Sequence, residues 1–219
     1  SAIAPERLEQ ALAAFGPIFT QFFGQTEAPM ALTALPREAH VVPDPVLRRA
    51  VLSSAGRATY PTTLRLVDDA GRDVSAGAEG ELIARAPNVM SGYLDDSEAT
   101  AETLRDGWLH TGDVARLSPD GLVTIVDRKK DVIVSGGFNV YPREVEDVLF
   151  EHPAVRQAAV VGAPHPKWGE EVRALVVLHE GPRPSEQELI EFVRTRKGGL
   201  HAPKAIEFAD AIPLTNLGK

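Results

Sequence analysis

The pattern of helices and strands in residues 128–219 narrows the possible folds more than any other feature of the sequence. Apolar runs of strand length alternate here with two amphipathic helices, which predicts the order strand, helix, strand, strand, helix, strand. The first helix has Pro142 in its first turn, and the second starts at Ser185 and Glu188, which are spaced as a capping box. This order over about ninety residues is typical of a small α+β domain.

The preceding part of the chain, residues 1–127, follows a different pattern, in which short strands and turns dominate from about residue 50. The stretch "WLHTGDVARLSPDGLVTIVDR" predicts a β-hairpin, because Ser-Pro-Asp-Gly is a turn sequence between two runs that favour strands. We therefore predict two domains, divided between residues 127 and 128, and a mixed α/β and α+β fold class. The other elements predicted are a helix at 5–15, a short buried strand within 18–27, mostly loop at 34–63, strands at 64–68 and 80–86, and a helix at 97–104 with Ser97 as its N-cap.

Charge and cysteine content exclude several classes of function. The formal net charge of −8 argues against a surface that binds nucleic acid independently of sequence, although it allows a small local anion site. The absence of cysteine excludes disulfides and thiolate metal sites. No apolar run reaches the roughly 18 residues that a membrane span needs. The first residues also lack the pattern of a signal peptide. We expect a soluble, cytoplasmic protein without a transmembrane segment.

Four short motifs carry groups that could bind a nucleotide. In "FFGQTE" the hydroxyl of Thr26 suits a phosphate, and the carboxylate of Glu27 beside it suits Mg²⁺. In "HTGD" Asp113 suits the hydroxyls of a ribose, and in "DRKKD" Arg128 offers a forked contact to hydroxyls or phosphate. "LTNLGK" adds Lys219 as a mobile point charge. Each motif alone is weak, since the first two are most often plain turns and a basic cluster is usually a solvated face.

Simpler interpretations exist for the neighbouring residues as well. Phe23 lies in an apolar stretch, where an aromatic ring is most often buried packing. Lys130 is, from its chemistry alone, most simply one more exposed lysine. The histidines show no spacing typical of metal ligands. The residue types taken one by one therefore leave both structural and functional roles open.

In this order and spacing the motifs resemble those of the adenylate-forming superfamily, which includes acyl-CoA synthetases, luciferases and the adenylation domains of peptide synthetases. The resemblance runs from Ser1 to Lys219. It is strongest to the acid–CoA ligases, especially the fatty-acyl-CoA synthetases, because "GQTE" and "SGGFNVYPREVE" have the form of that branch. It implies the C-terminal part of a large AMP-binding domain with a β-rich subdomain, followed by a small, mobile α+β lid domain.

The resemblance also implies a role for each residue at a motif position. The residues that would contact the nucleotide or CoA are Phe23 on adenine, Gly24 and Gln25 beside it, Thr26 at the phosphate, Asp113 at the ribose, Arg128 in support, and Gly136 and Gly137 near the pantetheine of CoA. The catalytic group would comprise Thr26, Glu27 as the magnesium ligand and Lys219 at the acid and the α-phosphate. Lys130 matches the hinge about which the lid would rotate.

These roles agree with the physics of acid activation. When a carboxylate attacks the α-phosphate of ATP, negative charge accumulates, and Lys219 together with Mg²⁺ would counter it. Rotation at Lys130 would then withdraw the lysine and bring in the glycine loop for the CoA thiol. The favoured hypothesis is an ATP-dependent acid–CoA ligase that forms an acyl-adenylate and acts on a medium- or long-chain fatty acid. The alternatives are an aryl-acid–CoA ligase, an enzyme that loads a carrier protein, and a non-catalytic domain that binds AMP or a partner.

The phosphate loop of the superfamily, [ST]-G-[ST]-[ST]-G-x-P-K, does not occur in this sequence. In the family it lies upstream of the part that this chain resembles. We therefore expect a fragment whose partner is the N-terminal part of the same enzyme, and which has little or no ligase activity by itself. A homo-oligomer is compatible with the sequence, and the identity of the acid cannot be derived from it.

Overall fold

The chain divides into two units in the computed structural model, which describes residue 3 and residues 5–75 and 77–213. We call Ala2–Lys129 the N-terminal unit and Lys130–Lys219 the C-terminal unit. Both combine helices with largely antiparallel sheets, which confirms the predicted mixed α/β and α+β class. The domain boundary predicted from the sequence lies two residues earlier and stays a prediction. In the described ranges, no helix is both long and apolar enough to cross a membrane.

The described part of the N-terminal unit contains two antiparallel sheets and three α-helices. Its elements are α1 (Pro5–Phe15), β1 (Gln21–Gln25), β2 (Ala28–Leu35), α2 (Pro45–Leu52), β3 (Arg57–Ala58), β4 (Thr63–Val67), β5 (Glu79–Arg85), α3 (Ser97–Thr103), β6 (Leu104–Arg105), β7 (Trp108–Leu117) and β8 (Val123–Arg128). One sheet has the order β1-β2-β3. In the other, β5 lies between β4 and β7, while β6 and β8 pair with the opposite edge of β7.

The hairpin of β7 and β8 forms as the sequence predicts. Its turn is closed by the backbone N–H of Gly121, which donates to the carbonyl of Ser118 at 2.9 Å. The N–H of Ser118 donates in turn to the carbonyl of Leu122 at 2.9 Å. The resulting register places Asp113 directly opposite Arg128. A bulge between Val114 and Ala115 shifts the register by one residue, so the meeting of these polar side chains depends on this bulge as well as on the turn.

The prediction of mostly loop at 34–63 is wrong, because α2 lies within that range. The side chain of Asp44 accepts a hydrogen bond of 2.7 Å from the N–H of Leu47, and Pro45 occupies the first turn. Both are recognised signals of a helix start. The several prolines and the lack of a clean period in this stretch indicated loop instead.

Two smaller predictions also need correction. The N-cap of α3 is Asp96, whose side chain accepts from the N–H of Ala99 at 2.9 Å, and not Ser97. The strand predicted within 18–27 is β1, and it is only partly buried, since side chains alternate between its two faces. Phe22 faces solvent with 61% of its surface exposed, whereas Phe23 packs against two clusters of the core.

The C-terminal unit is an α+β domain with one five-stranded sheet in its described part. Its elements are β9 (Ile133–Ser135), β10 (Phe138–Val140), α4 (Pro142–Phe150), β11 (Val155–His165), β12 (Gly169–Leu178), α5 (Glu186–Lys197) and β13 (Ala205–Phe208). The sheet has the order β10-β9-β12-β11. In addition, β13 pairs with β12 in the parallel direction. The two predicted helices and the strands around them are confirmed, and β10 is an additional strand.

The core of the C-terminal unit forms where the apolar faces of α4 and α5 meet the sheet. Val145 and Leu149 of α4 and Leu189 and Val193 of α5 are fully buried in the same cluster as Val172 of β12. Ser185 caps α5 by accepting a hydrogen bond of 3.2 Å from the N–H of Glu188. The amphipathic spacing of the two helices therefore determines which face of each helix packs against the sheet.

Candidate functional site

Thr26 and Glu27 form the two-residue connection of the β1–β2 hairpin, since Gln25 pairs with Ala28. The side chain of Thr26 is exposed. Gly24 precedes this turn at an irregularity in the pairing. A Cβ atom on Gly24 would lie 2.7 Å from the carbonyl oxygen of Met30, which is closer than real contacts allow. The glycine is therefore required by the close approach of the two backbones, a structural reason that the motif alone does not reveal.

Residues 88–93, which are distant in the sequence, hold this turn by hydrogen bonds. The hydroxyl of Tyr93 donates to Oε1 of Glu27 at 2.6 Å, and the backbone N–H of Met90 donates to the carbonyl of Glu27 at 2.8 Å. The hydrogen bond that the Glu27 carboxylate accepts from the phenol raises the pKa of Tyr93. The amide of Asn88 donates to the carbonyl of Pro29 at 2.6 Å. Sequence reasoning missed Tyr93, because no local pattern links it to a residue 66 positions away.

Asp113 and Arg128 are brought into contact by the β7–β8 register. Nε of Arg128 lies 2.9 Å from Oδ1 of Asp113, whose surface is only 3% exposed. The backbone N–H of Asp113 donates to Oγ1 of Thr111 at 3.1 Å, and this hydroxyl donates to the carbonyl of Leu82. Within the described part of the chain, the buried Oδ2 of Asp113 accepts no hydrogen bond. An unsatisfied buried carboxylate oxygen is costly, so a ligand hydroxyl that donates to it would be stabilised there.

The electrostatics of Asp113 are unusual for an aspartate. Burial raises its pKa to about 6 from the ordinary value of 3.8, although the positive charge of Arg128 opposes the rise. The negative charges of Asp127, Glu27 and Glu81 add to it. Asp113 therefore changes its charge close to neutral pH, under the influence of three other carboxylates. A site of this kind favours ligands that donate hydrogen bonds or carry a cation.

The basic cluster at the end of β8 consists of Arg128, Lys129 and Lys130, whose side chains lie in different environments. Lys129 binds the carboxylates of Asp69 and Glu81, at 2.8 Å and 3.2 Å from its Nζ. Burial would raise the pKa of Glu81, but the hydrogen bonds from Lys129 and His110 hold it below its ordinary value. Lys130 is exposed and has no hydrogen-bonding or ion-pair partner among the residues that the structure describes. Only Lys130 of these side chains is thus unrestrained, at the first position of the C-terminal unit.

In the C-terminal unit, Gly136 and Gly137 form the tight turn between β9 and β10. Their φ angles are +60° and +84°, a region that side chains rarely adopt, and Ser135 pairs directly with Phe138 across the turn. The N–H of Gly136 donates to the carbonyl of Trp168 at 2.9 Å. The ring of Phe138 is largely exposed beside it. The glycine loop is therefore a tight hairpin with an exposed aromatic side chain beside it.

The residues predicted from the motifs are only partly united by the structure. Glu27 and Arg128 both affect the pKa of Asp113 within the N-terminal unit, whereas the glycine loop belongs to the other unit. Phe23 is half-buried and in contact with the core, so packing accounts for at least part of its ring. Lys219 lies outside the described residues. The individual roles of these residues stay predictions.

A magnesium ion would find a compatible ligand in Glu27. No group of three or more metal-ligating side chains occurs among the described residues, so a site made only of protein ligands is absent there. Mg²⁺, however, is commonly held by one or two carboxylates together with substrate phosphates. Among these residues, only Tyr93 makes a hydrogen bond to the Glu27 carboxylate, through one of its two oxygens. The free oxygen of the Glu27 carboxylate therefore suits a magnesium ion that binds together with a nucleotide.

Comparison with known proteins adds an independent observation. A family model described as AMP-binding enzyme matches residues 1–94, and a model described as AMP-binding enzyme C-terminal domain matches residues 144–219. A medium/long-chain-fatty-acid–CoA ligase of Mycobacterium tuberculosis is 47% identical over 226 aligned residues, which cover 100% of this chain and 38% of the relative. A feruloyl-CoA synthase of an Amycolatopsis species is 45% identical over 93% of this chain and 40% of its own.

Solved structures agree with this similarity. An amide bond synthetase from Marinactinospora thermotolerans matches with a TM-score of 0.90 and 40% identity, over 99% of this chain and 42% of that one. An o-succinylbenzoate coenzyme A synthetase from Bacillus subtilis, solved with ATP and a magnesium ion, matches with a TM-score of 0.86 and 31% identity, over 100% of this chain and 43% of that one. This chain thus spans about two fifths of the length of the proteins it matches.

Proposed function

We propose that this chain, which belongs to the adenylate-forming family of AMP-binding enzymes, is the C-terminal portion of an ATP-dependent acid–CoA ligase. The family models and the solved structures confirm the resemblance at the level of family and fold. The activity is proposed for the complete enzyme, because the matched relatives are more than twice as long as this chain. The N-terminal part of that enzyme would supply the phosphate loop that this sequence lacks.

The carboxylate of Asp113 carries this proposal most directly. It is buried, one oxygen is fixed by Arg128, and the other lacks a hydrogen-bond donor among the described residues. Two hydroxyls on adjacent carbons, as in ribose, would donate to such a carboxylate. Thr26 at the neighbouring turn would donate to the phosphate, and the exposed part of the Phe23 ring would stack on adenine. Glu27 would hold Mg²⁺, which when bound would neutralise charge on the phosphates.

The chemistry of the first half-reaction requires a cation at the site of attack. A carboxylate oxygen of the acid forms a bond to the α-phosphorus, and the bond to pyrophosphate breaks, giving an acyl-adenylate. We assign to Lys219 the stabilisation of the charge on the α-phosphate oxygens, since a lysine is a point charge on a flexible stem. Loss of one such preorganised contact typically reduces the rate about 10²- to 10³-fold.

The second half-reaction forms the thioester. The sulfur of CoA attacks the acyl carbon, the bond to AMP breaks, and the thiol proton leaves to solvent or to a base. We assign to Gly136 and Gly137 the close approach to the pantetheine, because their turn carries no side chain. Lys130, unrestrained at the start of the C-terminal unit, is assigned as the hinge that changes the conformation between the half-reactions.

A medium- or long-chain fatty acid is the substrate that we favour. The fatty-acid–CoA ligase of M. tuberculosis, 47% identical, supports it, and the feruloyl-CoA synthase, 45% identical, keeps an aryl acid as the second candidate. Transfer of the acyl group to a carrier protein instead of CoA is a further alternative. A cytoplasmic location remains a prediction from the sequence.

The test is acid-dependent exchange of pyrophosphate into ATP by the complete enzyme, with Lys219→Ala compared with Lys167→Ala. We expect exchange to require the acid and to fall at least about 10²-fold in the Lys219 variant alone. Equal exchange in both variants would remove Lys219 from the first half-reaction. Product formation with free CoA, measured separately, distinguishes a CoA ligase from an enzyme that loads a carrier protein.

A further inference from the structure

We propose that Tyr93 is a positioning residue for the carboxylate of Glu27, which rests on the proposed role of Glu27 as a magnesium ligand. The phenol donates to Oε1 at 2.6 Å, a length typical of a charge-assisted hydrogen bond. Glu27 lies on a two-residue turn and is only half-buried, so its side chain has several rotamers available. One strong hydrogen bond from a fixed donor selects among them and leaves the second oxygen for a cation.

The backbone of Glu27 is held by the same distant segment. Met90 donates to its carbonyl at 2.8 Å, and Asn88 donates to the carbonyl of Pro29 at 2.6 Å. The main chain of the turn and the side chain of Glu27 are therefore both held by hydrogen bonds from the same segment, residues 88–93. A ligand carboxylate positioned in this way has little freedom to turn away from the ion.

Helix α3 holds Tyr93 itself. The backbone N–H of Tyr93 donates to Oγ1 of Thr100 at 2.9 Å, and this hydroxyl donates to the carbonyl of Asp96 at 2.7 Å. Asp96 is also the N-cap of the helix. A continuous series of hydrogen bonds therefore runs from the start of α3 through Tyr93 to the Glu27 carboxylate. Since α3 and the turn belong to the same unit, this series does not depend on the position of the C-terminal unit.

Tyr93→Phe in the complete enzyme removes this one hydroxyl and keeps the ring. Tyr60→Phe is the matched control, because Tyr60 is 99% exposed and makes no described side-chain contact. The direct readout is binding of Mn²⁺, as a paramagnetic substitute for Mg²⁺, in the presence of α,β-methylene-ATP. We expect Tyr93→Phe to weaken Mn²⁺ binding roughly tenfold. Losing a hydrogen bond that orients a metal ligand typically costs about 10- to 100-fold in metal affinity, and we expect the lower value because the site is accessible to water. The control should bind like the wild type.

Kinetics provide the second readout. The Mg²⁺ concentration for half-maximal pyrophosphate exchange should rise by a similar factor in Tyr93→Phe, while the rate at saturating Mg²⁺ recovers. In a Glu27→Gln background the same tyrosine change should have no further effect on Mn²⁺ binding. Unchanged Mn²⁺ binding in Tyr93→Phe, or an equal loss in the Glu27→Gln background, would overturn the proposal, and melting temperatures verify that all variants are folded.

Failure of the proposed function gives a different result. A wild-type enzyme that binds Mn²⁺ with the analogue but shows no acid-dependent exchange contradicts the ligase assignment, and a tenfold loss in Tyr93→Phe would still support the positioning role. A wild-type enzyme that binds no Mn²⁺ with the analogue overturns both.

Discussion

Asp113 and Arg128 lie directly opposite each other on β7 and β8, with Nε of the arginine 2.9 Å from Oδ1 of the aspartate. Only one of the two carboxylate oxygens is used by this pair, and the other is buried without a donor among the described residues. The pair is therefore poorly explained as a stabilising salt bridge alone, because an incompletely satisfied buried charge costs stability. This arrangement supports the proposed ribose site, in which the arginine would orient the acid.

The first prediction concerns the pH dependence of nucleotide binding. The ionised form of Asp113 is the better acceptor for ribose hydroxyls, and its pKa is about 6. As the pH falls through this value the aspartate becomes protonated, so the affinity for AMP should decrease. Calorimetry between pH 5 and pH 8 should show a steeper decrease in the wild type than in Asp113→Asn, in which only the titration of the AMP phosphate, with a pKa of about 6, remains. An affinity that rises toward low pH would contradict the assignment.

The second prediction concerns stability. The pKa of Asp113 is raised by folding from 3.8 to about 6, so its contribution to stability is present below pH 4 and is lost as the pH rises through 6. Two pKa units correspond to about 3 kcal/mol. The free energy of unfolding of Asp113→Asn minus that of the wild type should therefore increase by about this amount between pH 4 and pH 7. Denaturant titrations of the complete enzyme would measure it, and a difference that does not change with pH would exclude the raised pKa.

The third prediction concerns the hairpin that carries Thr26 and Glu27. An alanine Cβ at position 24 would lie 2.7 Å from the carbonyl oxygen of Met30, so the two strands would have to separate. We expect Gly24→Ala to destabilise the protein by about 1–3 kcal/mol and to weaken nucleotide binding. Gly199→Ala is the control, since a Cβ there meets no atom within 4 Å. If both variants melt at the wild-type temperature, the close approach of the strands is incorrect.

The fourth prediction separates the two half-reactions. Proline at position 130 would fix φ and remove the backbone N–H, which restricts rotation there. Lys130→Pro should retain acid-dependent pyrophosphate exchange within about tenfold and lose thioester formation by about 10²-fold or more. Lys130→Ala keeps the backbone N–H and does not fix φ, so it should retain both steps. Equal losses of the two steps in the proline variant would argue against the hinge.

The sequence predicted those parts of the fold that local signals determine. The hairpin of β7 and β8 follows from its Ser-Pro-Asp-Gly turn, and α1 spans the same residues, 5–15, as predicted. The helix α2 was missed although Asp44 and Pro45 mark its start, because the surrounding prolines suggested loop. Where local signals compete, a single sequence does not show which of them prevails.

The candidate site could be predicted only to the level of its motifs. Asp113 and Arg128 are both recognisable in the sequence, but their contact depends on the strand register. Tyr93 carries no motif that links it to Glu27, since their meeting depends on tertiary packing. The burial of Asp113, which raises its pKa, and the three carboxylates that add to the rise are likewise properties of the folded unit.

The most direct test of the account is the stoichiometry of products formed by the complete enzyme from a medium- or long-chain fatty acid, ATP, Mg²⁺ and CoA. Mass spectrometry and nucleotide chromatography should show one acyl-CoA, one AMP and one pyrophosphate for each ATP consumed. Formation of ADP and phosphate with the thioester, or AMP without any dependence on the acid, would contradict activation through an acyl-adenylate.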